Sequence, residues 1–490
     1  MLPRYFSIIG LLLLPLMVLP LGCDSQEEET QPEEVIVSFA DDVVTILIPK
    51  DLEETTNWDA VLDWSQQTRG TVEVVSYDRI DELLSQFEQE PPDKNTILFF
   101  PRTSFSEVGI RGLFQEIPET LLGPDDLNWK DLYDSLRASV TEWNDDPSVI
   151  PIREPMLLLY YRSDLLEAAG KEPPRTWEEY QELLVSLEDW APGMSAVEPW
   201  REDFRSMMFL THALPYVKTR GNYSAFFDYK SGEPMIGSPG YVRGLQECQE
   251  VLSLLDPRSA EMNSLQTLAE IREGRAALAI GDAFLRPQVM SSEKESRLEA
   301  LPIAVCSIPG ASSVFDPGRS AWQDLNGKVN HVTLTGWEGL SVGVLEADGT
   351  ESNQAAWNLM RSLMVQYLEN CFLPGYRTST RLSTSSKIWS PSFPQLNERS
   401  HVEATRASLR EAEVVPALII AHRDRFLQSL TESVNRVLFE KTEEPAKALQ
   451  DLAHQWDNLM EELGKEKVRL SYAAGLGVRA QKADLAPRSP

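Results

Sequence analysis

From residue 43 onward, short β-branched apolar runs alternate with stripes at helical spacing. Val43–Pro49 reads VVTILIP and predicts a buried strand. Asn57–Arg69 predicts a helix whose inner face carries Trp58, Val61, Leu62 and Trp64. Thr71–Ser76 is a second strand. Ile80–Phe87 is a second helix with Leu83, Leu84 and Phe87 inward, and Thr96–Phe100 (TILFF) is a third strand. Strand, helix, strand, helix, strand implies a parallel sheet with crossover helices. Ligands of such sheets sit beyond the carboxyl ends of the strands, so Pro49–Asp51 and Pro101–Ser104 are candidate rim loops.

The pattern resumes at Pro155–Tyr161 (PMLLLYY), a further strand. A short helix starting at Ser163 ends at Gly170, and Pro173-Pro174 then breaks the chain. Thr176 with Glu179 is a capping-box pair. Trp177, Tyr180, Leu183, Leu184 and Leu187 give the helix that follows an apolar face, so Trp177 reads as core. Ala276–Ile280 (AALAI) and Leu340–Val344 are strands, and Ala356–Tyr367 is an amphipathic helix. Leu449, Leu452, Trp456, Leu459 and Leu463 mark one face of a long helix. Beyond Gly464 the pattern fades into Lys465, Lys467, Arg469, Arg479, Lys482 and Arg488, which predicts a disordered basic tail.

The first 34 residues carry a different pattern. Arg4 is followed by the apolar run Phe6–Leu21, then Gly22 and Cys23; this reads as a secretory signal. Pro15 and Pro20 interrupt the run, which argues against a spanning helix. Asp24–Glu34 (DSQEEETQPEE) holds six acids and no base and can only be a solvated tether. Charge changes the picture further. With 45 Lys plus Arg against 76 Asp plus Glu, the chain of 490 residues carries −31. Such a chain repels phosphate backbones, which excludes bulk nucleic-acid binding.

Several segments share one order with a known family. Leu157–Leu187 (LLLYYRSDLLEAAGKEPPRTWEEYQELLVSL) resembles the signature of the family 1 extracellular solute-binding proteins of ABC importers. The resemblance rests on Tyr160, Tyr161, Asp164, Leu165, Ala169, Gly170, Pro174, Thr176, Trp177, Glu178 and Glu179. Glu273–Ala277, Ile308–Gly310, Gly336–Ser341 and Gly375–Arg381 resemble later motifs of the family, although Ser379 stands where proline is usual. Cys23 after Gly22 resembles a lipoprotein processing site, with Leu19 one place off the usual position.

The resemblance implies a two-lobed α/β periplasmic-binding-protein fold with hinge crossovers near Pro151, within 310–330 and near Pro374. It divides the chain into signal (1–22), lipidated Cys23 with acidic tether (23–35), N-lobe (36–152 and 311–374), C-lobe with terminal helices (153–310 and 375–463) and disordered tail (464–490). It implies capture of a small solute, most plainly a carbohydrate, and delivery to ABC permease subunits. The protein would be a monomer on the outer face of a membrane, held only by its lipid. The alternative is a diverged binding lipoprotein that acts as a sensor or orphan binder without transport.

No cofactor, metal or covalent chemistry is expected. The five histidines show no HExxH pairing. Gly339–Gly343 matches GxSxG, but Ser341 falls inside a strand instead of a strand-to-helix elbow. Cys248, Cys306 and Cys371 allow at most one bridge. Sugar recognition needs flat aromatic faces beside planar polar groups. Trp337-Glu338 is the foremost candidate; Asp282, Phe284, Tyr376, Arg377, Trp200, Arg102 and Trp143 complete the set.

Overall fold

The computed structural model describes residues 37–54, 56–140, 142–143, 146–219, 221, 224–283, 301–346, 353–370, 380, 396–411 and 413–478. Cys23, Phe284, Cys371, Tyr376 and Arg377 therefore lie outside the described residues, as do the signal, the whole tether and the third expected crossover.

The first lobe is built on a five-stranded sheet in the order Thr71–Tyr77, Val43–Pro49, Thr96–Pro101, Leu340–Val344, Val149–Arg153. The first three strands are parallel, as the alternation with helices requires. Leu340–Val344 returns antiparallel between Thr96–Pro101 and Val149–Arg153. The period-2 geometry of the strands divides their side chains between two cores. Val44, Ile46, Ile48, Ile97 and Phe99 face one cluster, with Val61 and Trp64 of the helix Asp59–Thr68. Leu47, Leu98 and Phe100 face the other, with Leu83, Leu84, Phe105 and Val108. Leu62, expected on the inner face, is exposed: Val61 and Trp64 already fill that face and Leu62 points off it.

The second lobe holds a four-stranded sheet in the order Ile303–Cys306, Leu157–Arg162, Ala276–Asp282, Ser195–Val197. Leu157 and Leu159 enter its main core, and Leu158 and Tyr160 the opposite cluster. The capping box at Thr176 is present: Glu179 N donates to Thr176 Oγ1 at 3.2 Å, and Thr176 N donates to Glu179 Oε2 at 3.3 Å. Such a cap contributes about 1 kcal/mol. Trp177 N also donates to Gly310 O at 3.0 Å, so the Ile308–Gly310 loop is tied to this helix start.

Two expected boundaries shift. The chain leaves the second lobe at Gly336–Gly339, not within 310–330; that stretch holds the hairpin Ser313–Asp316/Ala321–Asp324, and Ala311, Val332 and Leu334 belong to the second core. The tail also begins later than expected. Lys465–Gly475 is a helix that buries Val468, Tyr472 and Ala473. Its bases are used at its edge: Lys465 pairs with Asp457, and Arg469 pairs with Glu466. Cys248 and Cys306 are free thiols. Among the described residues no helix is long and apolar enough to cross a membrane.

Candidate functional site

The two described crossings lie side by side. The first is Arg153–Met156, between the last strand of one sheet and Leu157–Arg162 of the other; the second is Gly336–Gly339. Gly336 N donates to Pro155 O at 2.9 Å, and Arg102 N donates to Gly339 O at 2.9 Å. Beneath them Arg102 and Glu154 form an ion pair, Nε to Oε1 at 2.9 Å, with side chains 1% and 2% exposed. The crossing glycines are required by this pair. A Cβ on Gly336 would stand 2.7 Å from Glu154 Oε2, and one on Gly339 would stand 2.6 Å from Arg102 Cβ. Gly336 also has φ +76°, a conformation side chains disfavour. Burial pushes the Glu154 carboxyl up to about 7, against the pull of Arg102.

A recess opens against these crossings. Pro155, Met156 and Leu157 line it from the first, and Leu334, Trp337 and Glu338 from the second. Asp282 closes it at the end of the strand Ala276–Asp282; Phe204, Met207 and Thr211 come from the helix Arg205–Ala213 and the turn before it. Counting its open mouth and the solvent in it, the recess holds about 360 Å³. Trp337 is partly buried against the second core. Arg153 Nη2 meets Glu338 Oε2 at 3.1 Å, with the Glu338 side chain 51% exposed. The guanidinium of Arg423 lies over the Trp337 ring, 5.0 Å from its centroid. The recess offers an indole surface and two carboxylates at one opening, a set suited to holding a polar ring by stacking and hydrogen bonds.

Asp282 is thus brought to Trp337 and Glu338, although it lies more than fifty residues earlier in the chain. Trp200 and Arg102 are corrected. Trp200 is fully buried, and its indole N–H donates to Glu198 Oε2 at 2.8 Å, so no face remains for a ligand. Arg102 is spent on Glu154 in the packing under the crossings. The backbone of Trp143 pairs with Asp146 in a two-residue ladder. Ser341 is buried in mid-strand with neighbours on both sides, which rules out a nucleophile elbow there. Phe204, Met207, Thr211 and Arg423 were not foreseen. The helix Arg205–Ala213 mixes polar and apolar residues and is buried nearly all round, so no face of it stands out in sequence, and Arg423 reaches Trp337 only through the fold.

A second recess, of about 340 Å³, is lined mainly by apolar groups such as Phe226, Val415, Ile419 and Tyr472. Lys218, its charged member, stands 3.7 Å from Glu413. It lacks the carboxylate and indole groups of the crossing recess.

No protein-family model matches the sequence, and no curated protein matches it. Solved structures do match along most of its length. The maltose-bound MalE3 of T. maritima aligns over 85% of this chain and 99% of its own, at 18% identity and TM-score 0.58. The sugar-binding protein MalE of Xanthomonas citri aligns over 86% and 98%, at 16% identity and TM-score 0.60. An ABC transporter solute-binding protein of Agrobacterium radiobacter K84 in complex with ribitol aligns over 85% and 98%, at 16% identity and TM-score 0.57. The chain has the two-lobed solute-binding-protein fold. The recess lies against the two described crossings, walled otherwise by elements of the second lobe.

Proposed function

We propose that the protein is an extracytoplasmic solute-binding lipoprotein that captures a carbohydrate between its lobes and hands it to an ABC import permease. The observation that carries this reading is the recess at the crossings, where Trp337, Glu338 and Asp282 converge. The indole supplies a flat apolar face for a sugar ring, and the carboxylates accept from its hydroxyls. Its position beside the crossings couples ligand to motion: a solute that touches both crossings favours the closed arrangement of the hinge. Three similar structures hold maltose, ribitol and D-mannitol, and those neutral polyols supply the first probes. Cys23 would carry the lipid and the acidic segment after it would be the tether; both remain part of the proposal, as does the monomeric state.

The test is a thermal-shift screen of the chain from Asp24 to Pro490 against sugars, polyols, amino acids and polyamines. This length keeps the buried helix Lys465–Gly475. A ligand at about 100 times its Kd adds about 2.7 kcal/mol to stability and raises Tm visibly. Carbohydrate hits are expected, and Trp337→Ala, shown to be folded, should weaken them by at least about tenfold, about 1.4 kcal/mol. Hits confined to amino acids or polyamines, or sugar affinity unchanged in Trp337→Ala, would overturn the reading of this recess.

A further inference from the structure

We propose that Met207 is the specificity-determining residue of the recess and that the apolar wall around it selects a deoxy sugar, a ring with a methyl group where the parent sugar carries a hydroxymethyl group. The inference rests on the carbohydrate reading above and names the kind of sugar.

The argument starts from which atoms of the lining can hydrogen-bond. Seven of its ten residues are apolar, and the polar ones are Asp282, Glu338 and Thr211. Ionised carboxylates only accept. Glu338 already meets Arg153 Nη2 at 3.1 Å, and a carboxylate with two oxygens has room for further donors. Thr211 Oγ1 donates to Met207 O at 2.8 Å, so its proton is committed to the helix backbone. The Trp337 indole N–H is the one other side-chain donor among the described lining residues. Sugar hydroxyls that face Asp282 and Glu338 therefore find acceptors. A hydroxyl that faces the remaining side chains finds none.

Those remaining side chains form a wall of their own. Phe204, Met207 and Thr211 stand at i, i+3 and i+7, the spacing of one helix face. Met156 and Leu334 of the crossings join them, and both are buried, as is Met207. The carboxylates stand on other elements, at the end of the strand Ala276–Asp282 and on the second crossing. The recess is thus divided between an accepting part and an apolar part. A hydroxymethyl group set against the apolar part loses its water and gains no hydrogen bond. A methyl group in the same place gains apolar contact. Met207 is the middle residue of the helix face, and its unbranched thioether adapts to a small apolar group.

The experiment is titration calorimetry of the chain from Asp24 to Pro490 with matched pairs: D-fucose against D-galactose, L-fucose against L-galactose, and L-rhamnose against L-mannose. The deoxy member of at least one pair is expected to bind at least about tenfold more tightly than its hydroxylated partner, within the about hundredfold that an apolar pocket reaches against an added hydroxyl. Met207→Leu keeps the wall apolar and should keep the preference. Met207→Gln, close in size, offers the hydroxyl a partner and should abolish it. Equal or tighter binding of the hydroxylated member in every pair by the wild type overturns the inference without needing any variant, and leaves the carbohydrate reading standing. A deoxy preference that survives in a folded Met207→Gln overturns the assignment to Met207. Binding of no probe overturns both the inference and the carbohydrate reading.

Discussion

Two tryptophan–glutamate clusters use the helix Arg205–Ala213 as a common wall, and they differ in what completes them. Behind the helix, Glu198 Oε2 accepts from the Trp200 indole at 2.8 Å and meets His212 Nε2 at 3.1 Å. Trp177 stacks on His212 with ring centroids 3.7 Å apart. All four side chains are fully buried. In front of the helix, Trp337 and Glu338 face a recess, Glu338 is half exposed, and Arg153 is its partner at 3.1 Å. The same residue types are sealed by the protein in one cluster and left open in the other. Charge or aromatic type alone therefore does not mark a site; whether the group faces an opening does.

The largest expected effect probes the sealed cluster. Glu198→Ala would strand the Trp200 N–H and the His212 ring in the core. Leaving such buried groups without their hydrogen bonds costs about 1–3 kcal/mol each, read as a lower denaturant midpoint. Glu198→Gln, which keeps an acceptor, should lose clearly less. Equal losses for the two variants would mean that packing volume, and not the hydrogen bonds, is what matters in this cluster.

The pair under the crossings lies between these extremes, since it is sealed but sits in the moving part. The Glu154 carboxyl is pushed up from 4.5 to about 7 by burial. In that window the folded protein holds a proton that the unfolded chain has lost. Glu154 therefore contributes stability that is complete below pH 4.5 and is lost as pH rises through about 7. The slope is at most about 1.4 kcal/mol per pH unit. Burial lowers the pKa of His331 and His401, which tilts stability the other way near pH 6. The informative quantity is thus the difference between wild type and Glu154→Gln, followed as denaturant midpoints from pH 5 to 8. The wild type should lose stability relative to the variant across this range; parallel curves would mean that Glu154 does not titrate there.

The contrast between the clusters also explains what the sequence made legible. Strands such as VVTILIP and TILFF were readable because each is apolar on both faces, and both faces are covered. The Gly336–Leu340 segment stood out by its residues, but the crossing it makes was placed too early. The hairpin Ser313–Asp316/Ala321–Asp324 before it has no pattern that ties it to either lobe. The helix Lys465–Gly475 was hidden because its first turns carry Lys465, Lys467 and Arg469, and much of its buried half is small residues such as Ser471, Ala473, Ala474 and Gly475. Trp200 and Trp337 looked alike in sequence, each beside a glutamate or one residue removed from it. The fold surrounds Trp200 with Glu198, His212 and Phe439, and leaves Trp337 beside the recess. Arg423 carried no local signal at all, because its role depends on a contact with a residue 86 positions earlier in the chain.

The smallest expected effect on stability belongs to the open cluster, and it separates the two kinds of glutamate most cleanly. The Arg153–Glu338 pair is partly solvated on its Glu338 side, so the attraction is screened and the unpaired partner can turn to water. Glu338→Gln should change the unfolding free energy by less than about 1 kcal/mol, against the several expected at Glu198. If the recess is the binding site, the same substitution should still weaken carbohydrate binding, because the neutral amide replaces one acceptor with a donor and releases Arg153. A stability loss as large as that of Glu198→Ala would mean that Glu338 is a structural residue of the crossing, sealed in solution by groups that the half-exposed side chain does not reveal.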